Sequence, residues 1–234
     1  MAGSFRFKRF EVKNEDSALK VGTDAVLLGA AMTLLPSDRH LLDIGTGTGV
    51  IALMAAQRLE GADARIEAID IDGPSAEEAG FNFRNSPWSG MLESHHTALS
   101  LFEPESPFDC IFSNPPFYDN SLRNPDSRES AARHTESLSY RDICAFSAKH
   151  LAPGGHLSLI LPAECGKMLF RTAASFGLFP FRTIRIKTTA AKPFRRIIAE
   201  FSLSRGGTEE ITMVLDDGGK RSPEYSALTE AFYL

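Results

Sequence analysis

The sequence has only three cysteines, and their spacing matches no disulfide or metal-binding pattern. Cys110, Cys144 and Cys165 are odd in number, with no Cys-x-x-Cys pair and no metal-like spacing. This pattern excludes a disulfide framework and a zinc site, and it indicates free thiols in a reducing compartment. We therefore expect a cytoplasmic protein without a bound metal ion.

Long apolar segments are also lacking. The basic N-terminus is followed by no apolar stretch, so we expect no signal peptide. The longest apolar run, residues 25–35, is interrupted by Gly29 and Thr33. It is shorter than the ~20 residues that span a bilayer. We therefore expect no membrane contact. We also expect the protein to be a monomer.

An overall excess of positive charge is absent as well. The net charge of −5 argues against nucleic-acid binding through bulk charge, and 43% hydrophobic residues exclude a disordered chain. However, residues 41–129 contain 15 acidic and 5 basic residues, whereas residues 166–205 contain nine basic residues and one acidic. The basic segment suits a polyanionic substrate, although its charges can equally be scattered over a solvated surface.

Strand and helix patterns alternate along the chain, which predicts a parallel sheet covered by helices. Two runs near the end predict an antiparallel pair. We expect one α/β domain over residues 1–234, with a mostly parallel seven-stranded sheet. The predicted strands are residues 40–44, 65–70, 91–96, 108–113, 156–161, 182–188 and 195–203.

A long polar stretch, residues 118–137, lies between a predicted strand and a helix. Connections of this length without secondary structure are uncommon and often functional. Because it follows a chemically distinctive tetrad, we expect it to cover the substrate.

A glycine-rich loop follows the first central strand, with Gly45, Gly47 and Gly49 spaced as GxGxG and Asp43 two residues before them. Glycines let a backbone approach a ligand closely, although such a loop can also be a structural turn. An aspartate repels phosphate and can help to hold an ammonium group. The loop therefore favours a ligand with an amino-acid end over a pyrophosphate.

Asp70 ends the next strand, where a parallel sheet places it beside the glycine loop. A carboxylate there can accept hydrogen bonds from both ribose hydroxyls, although an aspartate at a strand end can also be a helix cap. Asp72 is the better candidate for that cap. Together, loop and aspartate favour S-adenosylmethionine over NAD.

The tetrad at residues 114–117, Asn-Pro-Pro-Phe, ends the fourth strand. Two prolines remove backbone donors, so the Asn114 side chain and the Pro115 carbonyl can both accept hydrogen bonds from an amino group. Phe117 offers a face on which a planar base or amide can stack. The alternative is a strand-ending turn with a core phenylalanine.

The motif order DIGTGTG, AIDID, NPPF resembles the class I S-adenosylmethionine-dependent amino-methyltransferases, which implies a Rossmann-like fold. Residues 7–12 with 20–29, and 192–196 with 225–233, further resemble the bacterial tRNA1(Val) adenine-N6 methyltransferases. An N-terminal extension over residues 1–36 would then pack on the cofactor side. The resemblance implies that the cofactor is held by Thr23, Asp43, Gly45, Thr46, Gly47, Gly49, Asp70, Ile71 and Ala98.

The resemblance also implies a substrate: N6 of the adenine 3′ of the anticodon of tRNA1(Val). Residues 114–117, including Pro116, would hold that adenine as catalytic residues. Alternatives are a protein glutamine amide or an rRNA guanine N2 as methyl acceptor, or a non-catalytic RNA-binding protein. Cationic side chains would hold the anticodon arm: Arg133, Lys192, Arg195 and Arg196.

The sequence departs from the family at one position. Many relatives have an acidic residue after the third strand that binds the adenine of the cofactor, whereas residues 96–99 here read His-Thr-Ala-Leu. Recognition by the Ala98 backbone is the remaining option. His95 and His96 are adjacent on a strand and face opposite ways, which argues against a metal pair. We expect Trp88 in the core.

Overall fold

A computed structural model describes residues 3–116 and 138–234, and its central element is an eight-stranded sheet. The sheet has the strand order β10-β8-β9-β7-β6-β3-β4-β5, and every neighbouring pair is parallel except the two that involve β9. The strands are β3 (His40–Ile44), β4 (Arg65–Asp70), β5 (Leu92–His96), β6 (Phe108–Ser113), β7 (Leu151–Pro162), β8 (Phe179–Lys187), β9 (Phe194–Ser202) and β10 (Glu209–Val214).

The predicted α/β architecture and the antiparallel pair β8–β9 are confirmed. The sheet has one strand more than the seven predicted, because β10 adds to its edge beside β8. The sequence of β10, Glu-Glu-Ile-Thr-Met-Val, begins with two charged residues and has only partial alternation, so its pattern is weak. Only Met213 of this strand is buried.

Helices cover both faces of the sheet. Three of them begin at a side-chain cap, for example Gly73–Arg84, where Asp72 accepts from Ser75 N, and Tyr140–His150, where Ser139 and Asp142 form a capping box. The cap predicted at Asp72 is thus confirmed. The helices are α1 (Thr23–Ala31), α2 (Val50–Arg58), α3 (Gly73–Arg84), α4 (Tyr140–His150), α5 (Gly166–Ser175) and α6 (Pro223–Thr229).

Two apolar clusters form the core, one on each face of the sheet. The first joins α1, α2 and α3 to the strands and includes Trp88, which is 4% exposed as predicted; the second lies under α4 and α5. Short antiparallel pairs complete the chain: β1 (Ser4–Arg6) with β2 (Glu11–Lys13), and β11 (Asp216–Asp217) with β12 (Lys220–Arg221). None of the described helices is both long and apolar enough to cross a membrane.

The two ends of the chain meet on the first cluster. The ring of Phe7 stacks on Phe10 and on Tyr233, with centroid distances of 4.5 and 6.1 Å. The backbone of Lys8 donates to the carbonyl of Phe232, which is itself buried. The terminal segments are therefore part of the fold.

Candidate active site

The glycine loop connects β3 to α2 and has a backbone that only glycine adopts easily. Gly45, Gly47 and Gly49 have φ angles of +70°, +56° and +79°. The amides of Gly45 and Thr46 both donate to the carbonyl of Ile69, which fixes the loop against β4. The loop is therefore held by backbone bonds at the carboxyl edge of the sheet.

Gly49 has a packing role. A Cβ atom at this position would lie 2.5 Å from Cε1 of Phe83, a buried residue of α3. It is the N-cap of α2 and does not line the cavity described next. Gly49 therefore allows α2 to start in close contact with α3.

A cavity of about 610 Å³ lies at the carboxyl ends of β3, β4 and β5. Such a volume is typical of sites for small molecules and cofactors. Gly45, Gly47, Asp70, Ile71 and Ala98, all predicted to bind the cofactor, line it. The structure thus brings five of the nine predicted cofactor residues to one cavity.

Asp70 presents a carboxylate to this cavity. Its Oδ2 accepts from the amide of Gly47, and its Oδ1 accepts from the amide of Asp72, both at 2.9 Å. Burial raises the pKa of Asp70, although these two bonds act in the opposite direction. The bonds fix the carboxylate and leave each oxygen a second lone pair with which to accept from a ribose hydroxyl.

Asp43 lies behind the loop and not in the cavity lining. Its carboxyl is fully buried, and Oδ2 accepts from the hydroxyl of Thr46 at 2.8 Å. Burial raises the pKa of Asp43 to about 7. Asp43 and Thr46 therefore support the glycine loop from the side away from the cavity.

The described part of the tetrad is placed against the first central strand. The hydroxyl of Ser113 donates to the carbonyl of Ile44 at 2.6 Å, which ties the end of β6 to the end of β3. The Oδ1 atom of Asn114 is buried and has no hydrogen-bond partner within the described ranges. Pro115 is buried, and Pro116 lines the cavity. Phe117 lies outside the described residues.

An unpartnered buried amide oxygen is costly unless a ligand supplies a donor. Asn114 Oδ1 is such an oxygen, and the residue two positions later borders the cavity. The end of β6 therefore presents a buried, unpartnered acceptor close to the cavity wall.

Thr23 is the first residue of α1, is exposed, and does not line the cavity. The N-cap of the helix is Gly22 and makes no side-chain hydrogen bond, so neither Thr23 nor Asp24 caps α1. Asp24 instead accepts from Nε of Arg196 at 2.7 Å.

The predicted RNA-binding residues in β9 and the turn before it lie at the same edge of the sheet as the cavity. Arg196 pairs with Pro162 at the carboxyl end of β7, so the turn between β8 and β9 projects from that edge. Lys192 and Arg195 are exposed there, whereas Arg196 is partly buried and ion-paired. Arg133 lies outside the described residues, as does the segment 118–137.

The adjacent histidines lie next to different groups. His96 Nε2 lies 3.1 Å from the carbonyl of Ile71, and His95 Nε2 lies 3.5 Å from the Glu67 carboxylate. In the parts of the chain that the structure describes, no three His, Cys, Asp or Glu side chains come together as a metal site.

Sequence reasoning missed two residues of the cavity wall, Leu138 and Asp142, at the start of α4. Ala18 and Leu19, which belong to the N-terminal extension expected on the cofactor side, form another part of the wall. Only the capping pattern at Ser139 marked the helix start, and that pattern has no relation to ligand binding.

The residues fit S-adenosylmethionine. A Cβ at Gly45 would come within 3.2 Å of Leu138, and one at Gly47 within 3.4 Å of Ser17, so the loop leaves room that side chains would fill. Gly45, Gly47 and Asp70 would hold the methionine and ribose parts, and Ile71 and Ala98 the adenine.

Comparisons with solved structures show the same fold. A predicted O-methyltransferase from Agrobacterium tumefaciens matches with a TM-score of 0.71 at 18% identity, over 89% of this chain and 96% of that one. A methyltransferase from Pyrococcus furiosus matches with a TM-score of 0.58 at 21% identity, over 83% and 90%.

Comparisons of sequence identify the family as well as the fold. The model of the methyltransferase small domain matches residues 17–169. Proteins named tRNA1(Val) (adenine(37)-N6)-methyltransferase are 37% identical in Bacteroides fragilis and 40% identical in Phocaeicola vulgatus, over 98% of this chain and 97% of each relative. The match thus includes the terminal segments and the β8–β9 turn. On its full length, the chain belongs to this family of S-adenosylmethionine-dependent methyltransferases.

Proposed function

We propose that this enzyme transfers a methyl group to N6 of the adenine 3′ of the anticodon of tRNA1(Val). The observation that carries the proposal is the buried, unpartnered Oδ1 of Asn114, two residues before Pro116 in the wall of the cofactor cavity. The printed name of full-length relatives from several bacteria supports the choice of substrate.

Asn114 and Pro115 would orient the amine. Together their carbonyl oxygens can accept both hydrogens of an exocyclic amino group, which turns the nitrogen lone pair away from the acceptors. Bound S-adenosylmethionine supplies the electrophilic methyl group on its sulfonium. Because an amine carries its own lone pair, no strong base is needed, and the proton can leave to water after transfer. Positioning therefore supplies much of the catalysis.

The target base must leave its stack to reach this position. For an unpaired loop base the cost is only a few kcal/mol. Phe117 would stack on the extruded adenine, as the family motif predicts. The segment 118–137 that follows it would cover the substrate.

The β8–β9 turn would contact the RNA backbone. Lys192 and Arg195 are exposed cations at the edge of the sheet that holds the cavity. Lys187 lies with its Nζ 5.0 Å from the ring centroid of Phe194, which is 39% exposed. Contacts to phosphate position an RNA without reading its sequence. Arg133 is proposed to join them.

The cellular setting follows from the substrate and the thiols. Cys110 and Cys144 are buried free thiols. Free thiols fit a reducing cytoplasm, where tRNA is modified. We propose that the chain works there as a monomer, which light scattering of the purified protein would test.

The experiment uses total tRNA from a strain that lacks this protein, with labelled S-adenosylmethionine, nucleoside digestion and mass spectrometry. We expect the wild-type protein to form N6-methyladenosine, Asn114→Ala to form none, and the exposed control Asn85→Ala to match the wild type. A methylated guanosine, or label in protein alone, would support one of the other amino acceptors. Binding of S-adenosylmethionine without any transfer would favour a non-catalytic RNA-binding protein.

A further inference from the structure

The apolar end of the cofactor cavity has no carboxylate in the segment that follows β5. Ile71, Ala98 and Leu99 surround this end, and Ile71 is 48% exposed, as expected of a surface on which a flat ring packs. An adenine bound there presents its 6-amino group, a hydrogen-bond donor. The segment after β5, residues 97–99, offers no carboxylate to accept from it.

Most polar side chains of the cavity wall already serve other partners. Asp70 accepts from two backbone amides on the ribose side. Asp72 accepts from the amide and the hydroxyl of Ser75 as the N-cap of α3. Among the described carboxylates of the cavity wall, Asp142 is the one that lies in the first turn of α4.

Two contacts orient Asp142 towards the apolar end. Helix α4 contacts the short 3-10 turn Leu99–Leu101. One helical turn after Asp142, the ring of Phe146 lies 6.2 Å from the ring of Phe102, which directly follows that turn. Residues four apart share a helix face, so the face that carries Asp142 is the one that meets residues 99–102.

The hydrogen bonds of Asp142 leave one oxygen available. Oδ2 accepts from both the hydroxyl and the amide of Ser139, at 2.6 and 3.3 Å, which completes the capping box. Oδ1 accepts from no described residue, and the side chain is exposed to the cavity. The cap therefore fixes the carboxylate while a second acceptor remains free.

We propose that Asp142 accepts the hydrogen bond from the 6-amino group of the cofactor's adenine, and thereby selects adenosine at this position. The proposal rests on the cofactor assigned to the family and not on the RNA substrate. Asp142, on α4, would then determine which base of the cofactor is accepted.

The test is calorimetric binding, without RNA, of S-adenosylhomocysteine and of S-inosylhomocysteine, which carries a 6-oxo acceptor in place of the 6-amino donor. We expect the wild type to bind the adenosyl ligand at least tenfold more tightly, because a hydrogen bond to a charged group contributes about 1.5–3 kcal/mol. In Asp142→Asn, the amide oxygen keeps the bonds from Ser139 and the amide nitrogen faces the ligand. We therefore expect the preference to vanish or to reverse.

The matched control is Asp72→Asn, a second aspartate-to-asparagine change at a helix-capping residue of the same cavity. It should bind both ligands in the wild-type ratio. An unchanged ratio in Asp142→Asn, or a wild type that does not discriminate, would refute the proposal while leaving the RNA-methylation assay unaffected. A lost ratio in Asp72→Asn alone would assign the contact to Asp72.

Discussion

The Nε atom of Arg196 lies 2.7 Å from Oδ2 of Asp24, and this ion pair joins the start of α1 to strand β9 across the edge of the sheet. From the sequence, Arg196 was grouped with cations that contact RNA. The pair gives Arg196 a carboxylate partner within the protein, and both side chains are only about one-fifth to one-quarter exposed. The three cations around the β8–β9 turn are therefore not equivalent.

This pair should stabilise the fold measurably but modestly. We expect a double-mutant cycle of Asp24→Ala and Arg196→Ala to give a coupling of about 0.5–1 kcal/mol in urea unfolding, since partly exposed pairs contribute little more. As a control, the same cycle on Arg6 and Glu11, whose side chains are more exposed, should give a smaller coupling. Equal couplings would contradict the distinction.

The exposed cations should govern the salt dependence of RNA affinity. For Lys192→Ala and Arg195→Ala, we expect the slope of log K against log salt to fall by roughly 0.7–1 each, because each removes one phosphate contact. Lys149→Ala is the matched control, since this exposed residue ends α4 at the opposite edge of the sheet. Filter binding of an anticodon stem-loop at several salt concentrations measures this. A slope unchanged by either variant would exclude the turn as an RNA contact.

The free energy of unfolding should depend on pH because of Asp43. Burial raises its pKa from 3.8 to about 7, so between these values the folded chain binds more protons than the unfolded chain. The contribution of Asp43 to the free energy of unfolding therefore falls as pH rises from about 4 to 7, by at most about 1.4 kcal/mol per pH unit. Above pH 7 it is constant.

We expect Asp43→Asn to remove this fall, because an amide does not ionise and can keep the bond from Thr46. Urea unfolding from pH 4 to 8 would show the stability of the variant rising relative to the wild type across that window. Asp63→Asn, at an exposed loop position, should run parallel to the wild type. Parallel curves for Asp43→Asn would contradict the raised pKa.

Gly49 should tolerate alanine less well than another glycine with the same backbone strain. Gly49 and Gly154 have φ of +79° and +85°, but only at Gly49 would a Cβ meet a neighbour, Cε1 of Phe83 at 2.5 Å. We expect Gly154→Ala to cost about 1–2 kcal/mol from strain alone. Gly49→Ala should cost clearly more, because the Phe83 ring must move. Thermal unfolding of both variants compares them, and equal losses would exclude the packing role.

The C-terminal segment should contribute to the core. Phe232 is 3% exposed, so Phe232→Ala should lower the free energy of unfolding by about 3 kcal/mol. Phe81→Ala, at a side chain 47% exposed, should lower it by under about 1 kcal/mol. Urea unfolding of each variant provides the measurement; similar small losses would show that the C-terminus is dispensable.

The sequence predicted local features well because each depends on a few neighbouring residues. The alternation of apolar runs located β4 and β6 to the residue, and the spacing of glycines located the loop. Edge strand β10 was missed because half-exposed edge strands show little alternation. Its place beside β8 depends on pairing between distant residues.

Within the site, sequence alone could not distinguish residues that line the cavity from residues that hold those in place. Gly45, Gly47 and Gly49 follow one pattern, yet two face the cavity and the third packs on Phe83. The partner of Arg196 is 172 residues away in the chain, and no local pattern encodes such a distance. For the same reason, Asp142 could be predicted only as a capping residue.

The N-terminal wall of the cavity has an unusual anchor. One carboxylate of α3, that of Glu78, accepts from three successive amides, those of residues 15, 16 and 17, and Ser75 accepts from the amide of Ala18. These partners are 57 to 63 residues apart. On the ribosome, residues 15–18 are thus made before the helix that fastens them, so this part of the cavity wall can take its place only after α3 has been synthesised.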